Sequence, residues 1–507
     1  MLDSPGRLAC RTLPSMRGFA TVAFMRDLVR RSVAIFSIIV AGIGSTSPAL
    51  AQDPGTRPST VADEQAQAVP ASSERPAINW LNRWTEDWSF LADPAQRTDP
   101  FDRVKYLPFD DTGERYVSLG ATIRERYEDV SLNIGTIEPD AYVISRIQLH
   151  ADVRLAPEVS FFVQVVNALA PGKRNVFVTD RNRLDLEQAF VTIAPPIGEG
   201  ELWLQIGRQE IAFELQRFLG IRDGANVRRP FDAIRANYRD GPWEMNAFVS
   251  RPVTTRQGVF DDVSGPEVTF HGVRVERREV ARGKLAFYYA RYHDENGSYL
   301  PVRGEEDRDV FDLRYAGRVE GWDWDIEGMV QRGRVGAQSI RAWAAGAIVG
   351  HQWSRPDFWR PRLALQVDLS SGDRDLDDDK LGTFNPLFPN GYYVTLSNFP
   401  GYSNFVQVKP SLTLYPTRSI TLLAAASSLW RFTKRDAVYL FPAAPIPSTA
   451  GEGSRHTATY GQFRIDWAFD PHAKLALEIE RFDLADALIE RGFESGGYVG
   501  LELHFGF

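Results

Sequence analysis

Arginine carries most of the charge chemistry in this sequence. Of 58 basic residues only seven are lysines, and the arginines recur at two-residue spacing within polar rows. A planar guanidinium grips carboxylates with two parallel donors and keeps its charge in confined places. Such residues suit the binding and passage of an anion. A high-GC genome also enriches arginine, so the pattern matters more than the count. Residues arranged for bond-breaking chemistry are missing. There is no Gly-x-Ser-x-Gly, no His-Glu-x-x-His and no phosphate loop, and the seven histidines show no ligand spacing. Asp375, Asp377 and Asp379 approach a calcium-loop pattern, but Lys380 stands where the turn needs glycine. The one cysteine, Cys10, precedes the expected mature chain, which removes thiol catalysis, disulfides and thiolate metal sites. No enzyme activity, cofactor or metal is expected. A net charge of −8 argues against nucleic acid as a partner.

The elements that must position these arginines are strands. In the last ten residues, Val499, Leu501, Leu503, Phe505 and Phe507 alternate with Tyr498, Gly500, Glu502, His504 and Gly506. That is a two-residue period, one apolar face and one polar face. A terminal aromatic on such a strand resembles the insertion signal of bacterial outer-membrane barrels. The alternation recurs from residue 114 onward, for example Val143, Ile147, Leu149 and Val153 against Arg146, Gln148, His150, Asp152 and Arg154. About eighteen such segments are long enough to cross a membrane at a tilt. Short connections such as Ala156-Pro157, Asp240-Gly241-Pro242 and Glu320-Gly321 alternate with long ones at 211–230, 252–266, 294–308, 372–403 and 431–455. A soluble sandwich also alternates, but it has no reason to sort its loops by length. The expected fold is all-β: a single transmembrane antiparallel β-barrel of about eighteen strands, with short periplasmic turns and long extracellular loops. Trp203, Trp243, Trp322, Trp343, Trp430 and Trp467 suit an interfacial aromatic belt.

Three regions follow. Residues 1–51 read as a signal peptide: Arg26, Arg30 and Arg31, an apolar run at Val33–Ile43, and a small-residue site ending at Ala51, with Met25 as the better start. Residues 52–112 read as a periplasmic N-terminal segment, disordered at first, then rich in tryptophan. Residues 113–507 form the barrel, in the bacterial outer membrane and in contact with its lipid.

Strand parity turns Arg124, Arg126, Arg146, Arg154, Arg183, Arg235, Arg239, Arg274, Arg314, Lys409, Arg464 and Lys474 inward. Asp152, Asp185, Glu187, Asp323, Asp325, Glu478 and Glu480 share those rows. Opposed charges of this kind brace a wide wall. Unpaired arginines at a narrowing would instead attract anions, and the first six strands hold most of them. The connection 211–230 adds Arg217, Arg222, Arg228 and Arg229, with Gly220 and Gly224 allowing a tight fold. It reads either as a basic constriction dipping into the lumen or as a solvated outer loop.

Several segments resemble the alginate export family of outer-membrane proteins. They are Asp87-Trp88-Ser89-Phe90-Leu91 with Arg97-Thr98-Asp99-Pro100, the run Arg181 to Phe190, Gly207-Arg208-Gln209-Glu210, Gly224 to Arg229 with Phe231-Asp232, and Ser371-Gly372-Asp373 followed by Leu381 to Pro389. The resemblance implies an eighteen-stranded barrel whose Arg-lined pore, partly plugged by loops, passes a polyuronate outward. It carries over Arg183, Asp185, Arg208, Arg228, Arg229 and Asp232 as pathway residues. Acidic residues on the later strands weigh against a purely anion-selective lumen.

The expected function is an outer-membrane channel for an anionic, alginate-like polysaccharide, driven by synthesis or by periplasmic export partners. An uptake porin for small anionic or sugar-derived solutes is the first rival. A structural or adhesive barrel is the second.

Overall fold

The computed structural model describes residues 75–353, 359–397 and 399–507. The expected signal peptide and the start of the leader lie outside these residues. Among the described residues no helix is long and apolar enough to cross a membrane. Strands do so instead.

Eighteen antiparallel strands close into a barrel. They are β1 (Tyr116–Val130), β2 (Asp140–Ala156), β3 (Val159–Leu169), β4 (Asn182–Ile193), β5 (Gly200–Gln209) and β6 (Phe231–Asp240). Next come β7 (Trp243–Thr254), β8 (Val268–Val280), β9 (Gly283–Ser298), β10 (Arg303–Val319), β11 (Trp322–Val335) and β12 (Gln338–Gln352). The last are β13 (Trp359–Ser370), β14 (Phe405–Tyr415), β15 (Ile420–Arg431), β16 (His456–Asp470), β17 (Ala473–Leu484) and β18 (Gly496–Gly506). Each strand pairs with the next, and β18 returns to β1 from Tyr498↔Val130 to Gly506↔Thr122. Closure leaves no unpaired sheet edge, which a bilayer would not tolerate. All eighteen expected strands are present, with ends moved by a few residues.

Burial is inverted relative to a soluble protein. Leu149, Ile234, Val249, Leu313 and Leu363 are each more than half exposed. Their sequence neighbours Gln148, Arg274, Asp312, Arg314 and Glu327, or residues on the same inner rows, are buried. A polar inside and an apolar outside make sense only where the solvent outside is lipid.

Two expectations about the loops change. The connection at 294–308 is not a long loop: β9 and β10 stay zipped to Ser298↔Arg303. The β11–β12 connection on the same rim is also short, turning at Gly336 with φ of 50°. Both hairpins carry alternating residues past the apolar rows, and pairing simply continues.

The second change concerns the connection 211–230, for which the solvated outer loop is set aside. Loops 210–230 and 371–404 fold inward and build an apolar core in the lumen. Phe388 is its hub, with ring centroids 5.2 Å from Phe231, 5.0 Å from Phe270 and 6.0 Å from Tyr292. The two loops also pair with each other, through Gly220 N–H to the Phe388 carbonyl at 2.7 Å and Phe388 N–H to the Phe218 carbonyl at 3.0 Å. Aromatics on the inner rows of β6–β9 (Phe231, Phe248, Phe270, Tyr288) need apolar partners, and the loops supply them.

The N-terminal segment packs at the opposite, short-turn mouth. Arg83 donates to the Phe507 carbonyl at 2.5 Å, and Phe101 stacks on Phe507 at 4.4 Å. Trp80 meets His504 edge-on at 5.5 Å.

Gly207 on β5 has φ of 133°, and an added Cβ would lie 2.3 Å from the Ala189 carbonyl oxygen of β4. Gly207→Ala should therefore destabilise the barrel by about 1–3 kcal/mol. Gly328→Ala, where the nearest atom is 4.0 Å away, should be nearly neutral. Urea midpoints of refolding into phospholipid vesicles measure both.

Candidate lumenal site

The site begins with strand register. Arg124 on β1 stands directly opposite Arg146 on β2, and Arg126 lies two residues along the same inner row. Like charges directly opposed on a sheet repel. Burial raises the cost, because Arg124 and Arg146 are almost fully buried. An anion must stand between them, and loop 210–230 brings one.

Asp223 is that anion for Arg146, while Glu502 on β18 lies 3.9 Å from Arg124. Arg146 Nη2 donates to the Asp223 carboxylate at 2.6 Å and Arg228 Nε at 2.8 Å. Arg124 donates to the backbone carbonyls of Asp223 at 2.7 Å and Ala225 at 2.8 Å. Arg126 reaches the Gly224 carbonyl at 2.7 Å, the Tyr392 hydroxyl at 2.6 Å and Glu128 at 2.6 Å. Asn226 holds the turn from the other side, donating to the carbonyls of Ser145 (3.1 Å), Leu169 (2.9 Å) and Asp180 (2.9 Å). Four arginines thus grip a three-residue stretch of one loop.

Burial disfavours a charged Asp223, yet Arg228, Arg146 and Arg124 hold its carboxyl well below the usual carboxylate range. Burial instead pushes Glu210, at the start of the loop, up to about 8. Asp223, at 2.8 Å against 3.5 Å for Glu210, is the closer counterion of Arg228.

The same loop crosses to the opposite wall. Arg217 is fully buried and pairs with Glu327 on β11, with Asp368 on β13 at 3.6 Å and Asp325 at 4.0 Å. The Tyr393 ring lies 4.6 Å from its guanidinium. Tyr393 and Tyr402 of loop 371–404 donate to Asp368 at 2.6 and 2.9 Å. The loop offers a carboxylate to a basic wall and an arginine to an acidic one. Glu214, Gln216 and Arg222 take positive φ of 51°, 56° and 59° within it. Such backbone strain persists only when surrounding contacts hold it.

From below, Arg228 Nη2 donates to the Trp80 carbonyl at 3.0 Å, and Leu81 packs on Ala212 and Ile221. Arg154 donates to the carbonyls of Trp84 and Glu86, each at 3.3 Å, while paired with Asp152. The N-terminal segment and the loop therefore meet inside the barrel.

Residues 115–502 match the alginate export family. The chain belongs to the alginate export family. No curated protein matches its sequence. Among solved structures it is similar to the outer-membrane protein OpdK of Pseudomonas aeruginosa, at 11% identity and a TM-score of 0.54, over 77% of this chain and 98% of that one. It is similar to OccK2 (OpdF) of the same organism in complex with glucuronate, at 13% identity and a TM-score of 0.50, over 77% and 98%. A BenF-like porin from Pseudomonas fluorescens Pf-5 shows 9% identity and a TM-score of 0.53, over 77% and 98%. At such identities the likeness speaks to the fold. Family and fold together make this protein a channel of the bacterial outer membrane.

The other expected site residues of this alginate export family member are dispersed. Glu187 accepts from Gln148 and Gln164 at 2.5 and 2.6 Å. Asp185 accepts from the backbone N–H groups of Asp261 and Asp262 at 2.9 and 3.1 Å and pins their segment. Arg235 faces inward against the Asn246 amide oxygen at 2.8 Å. Arg464 is taken up by Asp466 and by Glu478, each at 2.7 Å. Arg229 lies over the Phe388 ring at 5.2 Å. None of Arg124, Arg126 and Arg146 is the free pore arginine that parity alone suggested.

Three assignments need correction. Arg208 and Asp232 do not line the lumen. They pair with each other at 2.9 Å on the outward row that holds Ile206 and Ile234. Motif resemblance had put them in the pathway, and their parity takes them out. Arg183 is exposed rather than inward, because the β3–β4 register slips between Val166↔Asp185 and Ala168↔Asn182. That bulge gives the inner row to Asn182 and Asp185. Asp223 and Asn226 were missed as site residues. The available signal was the Asp223-Gly224-Ala225-Asn226 turn set between Arg222 and Arg228.

Asn226→Ala should cost about 1–3 kcal/mol of loop docking, since three buried carbonyls lose a donor. Hydrogen exchange of the amides in 220–229 should accelerate, while exchange in β1 and β2 stays slow.

The N-terminal segment carries its own titratable clasp. His472 Nε2 lies 2.7 Å from Asp99. Burial opposes charge on both groups, but their mutual contact holds the His472 imidazole above its ordinary range and Asp99 below its own. The clasp is therefore at full strength below the free imidazole's titration and above that of a free carboxylate. It weakens as pH rises through the folded value of His472. Tryptic cleavage at Arg97 and Arg103 should be faster in His472→Gln than in wild type at pH 6, and the gap should close by pH 8.

Proposed function

We propose that this channel exports a polyuronate and that Asp223 is a built-in stand-in for the substrate carboxylate. The carrying observation is the pair Arg146 and Arg228 on a single loop carboxylate, with Arg124 holding the backbone carbonyl of the same residue. A uronate presents the same carboxylate group to the same two guanidinium donors. Each sugar of the polymer repeats it, so one carboxylate can replace Asp223 while the next approaches. Exchange between equivalent partners keeps each step shallow, as conduction requires. The glucuronate in the OccK2 structure is a sugar acid of the kind this reading needs, although a monomer also fits the rival reading of small-anion uptake. Family membership favours the polymer.

Single-channel recording in planar bilayers separates the two. Oligomannuronate should block the wild-type current, and Asp223→Asn should lower the half-blocking concentration about tenfold, the equivalent of about 1.4 kcal/mol, because a weaker competitor occupies the nest. Arg146→Gln with Arg228→Gln should abolish the block. Rapid passage of glucuronate with no block by the oligomer would overturn export in favour of uptake.

A further inference from the structure

The outward face of the barrel carries a second set of opposed arginines, and no loop carboxylate is brought between them. On neighbouring strands β8–β12 the ladder Val273–Tyr289–Phe311–Val330–Trp343 runs in direct register. Val273, Phe311, Val330 and Trp343 are exposed, as residues against lipid tails should be. Two residues further toward the long-loop rim, the next outward ladder reads His271–Arg291–Asp309–Arg332–Arg341. The one beyond it reads Thr269–His293–Asp307–Arg334–Ser339. The surface therefore changes from apolar to charged within a single step, about 7 Å along a strand. That step marks the upper edge of the hydrocarbon.

Arg332 and Arg341 face each other directly across β11 and β12. All three of Arg332, Arg334 and Arg341 are exposed. Of the carboxylates near them, Glu305 makes no ion pair among the described residues, and the others are committed elsewhere. Asp309 bonds to the Tyr289 hydroxyl at 2.9 Å and Arg291 at 3.4 Å, and Asp307 bonds to Arg291 at 3.0 Å and His293 at 3.3 Å. Lys380, beside β12, takes Asp378 and Asp379. Among the described residues no carboxylate lies within ion-pair distance of Arg332, Arg334 or Arg341. Arg332 reaches only the carbonyl of Gln331, at 2.8 Å.

We propose that Arg332, Arg334 and Arg341 grip a phosphate of the outer-leaflet glycolipid, the lipid A portion of lipopolysaccharide. The chemistry and the height agree. The arginines lie just above the apolar rows, where the phosphates of that leaflet lie. Opposed side chains about 5 Å apart let one phosphate accept from both guanidinium groups at once. Lumenal substrate does not reach this face.

The test is native mass spectrometry of the full-length folded protein in detergent, titrated with bisphosphoryl lipid A, with its dephosphorylated form and with inorganic phosphate. Wild type should retain the bisphosphoryl form at least about tenfold more tightly than the dephosphorylated one. Combined Arg332→Gln and Arg341→Gln should remove that preference. Arg277→Gln, an outward arginine at the opposite rim over Trp243, should leave it intact. Equal binding of both lipid forms by wild type would overturn the proposal without any variant, as would unchanged retention in the double variant. Saturation by inorganic phosphate with no competition from lipid A would likewise overturn it, in favour of a free-anion site. Folded state is checked by heat-modifiable electrophoretic migration, and uronate block of the current is independent of all three outcomes.

Discussion

Two arginines set face to face on a β-ladder cannot remain so in a dehydrated lumen without an anion between them. That constraint, at Arg124 and Arg146, organises the interior of this barrel. It draws Asp223 down to the wall and with it the loop that carries Asp223. Once the loop is inside, its remaining groups must also be satisfied. Arg217 would only add charge to the basic wall, and it finds the carboxylates of β11 and β13 instead. Asn226 takes three carbonyls that strand ends and a neighbouring loop leave open. The path of the loop follows from charge placement on two opposite walls, and its strained residues are held by the same contacts.

The lumen is consequently not a simple water-filled tube. Its basic and acidic walls are bridged by protein, and its upper part holds an aromatic core around Phe388. A bilayer supplies no hydrophobic drive toward that interior, since the tails outside are as apolar as any side chain. The drive comes from water in the lumen itself. Phe231, Phe248 and Phe270 would otherwise face that water, and the loops cover them. The inward folding of loops 210–230 and 371–404 thus has two causes that act together, charge matching lower down and apolar burial above.

The fold was legible because barrel strands obey one rule with few exceptions. Period-two alternation located all eighteen strands, and it also set which side chains share a row with Arg124, Arg126 and Arg146. Parity failed where a single bulge intervened, as at Arg183, since one extra residue exchanges inside and outside. It was set aside where motif order was used in its place, as at Arg208 and Asp232, whose row with Ile206 and Ile234 was readable from the sequence. What no row could show was the partner of each charge. That depends on where a loop of more than twenty residues comes to rest, a global property of the closed barrel. Asp223 sits in such a loop, so the key carboxylate was invisible while its arginines were not.

The two ends of the loop differ in what can displace them. A carboxylate arriving at the basic wall competes with Asp223 on equal terms, because both offer the same group to Arg146 and Arg228. It has no claim on Arg217, whose partners are themselves carboxylates. An incoming anion would be repelled by Glu327 and Asp368, and only a cation could compete there. One attachment is therefore exchangeable by an anionic chain and the other is not. The attachment at Arg217 and the pairing with loop 371–404 hold the loop independently of Asp223. The acidic residues of the later strands, which argue against a purely anion-selective pore, gain a role on this reading. They anchor Arg217 and with it the loop.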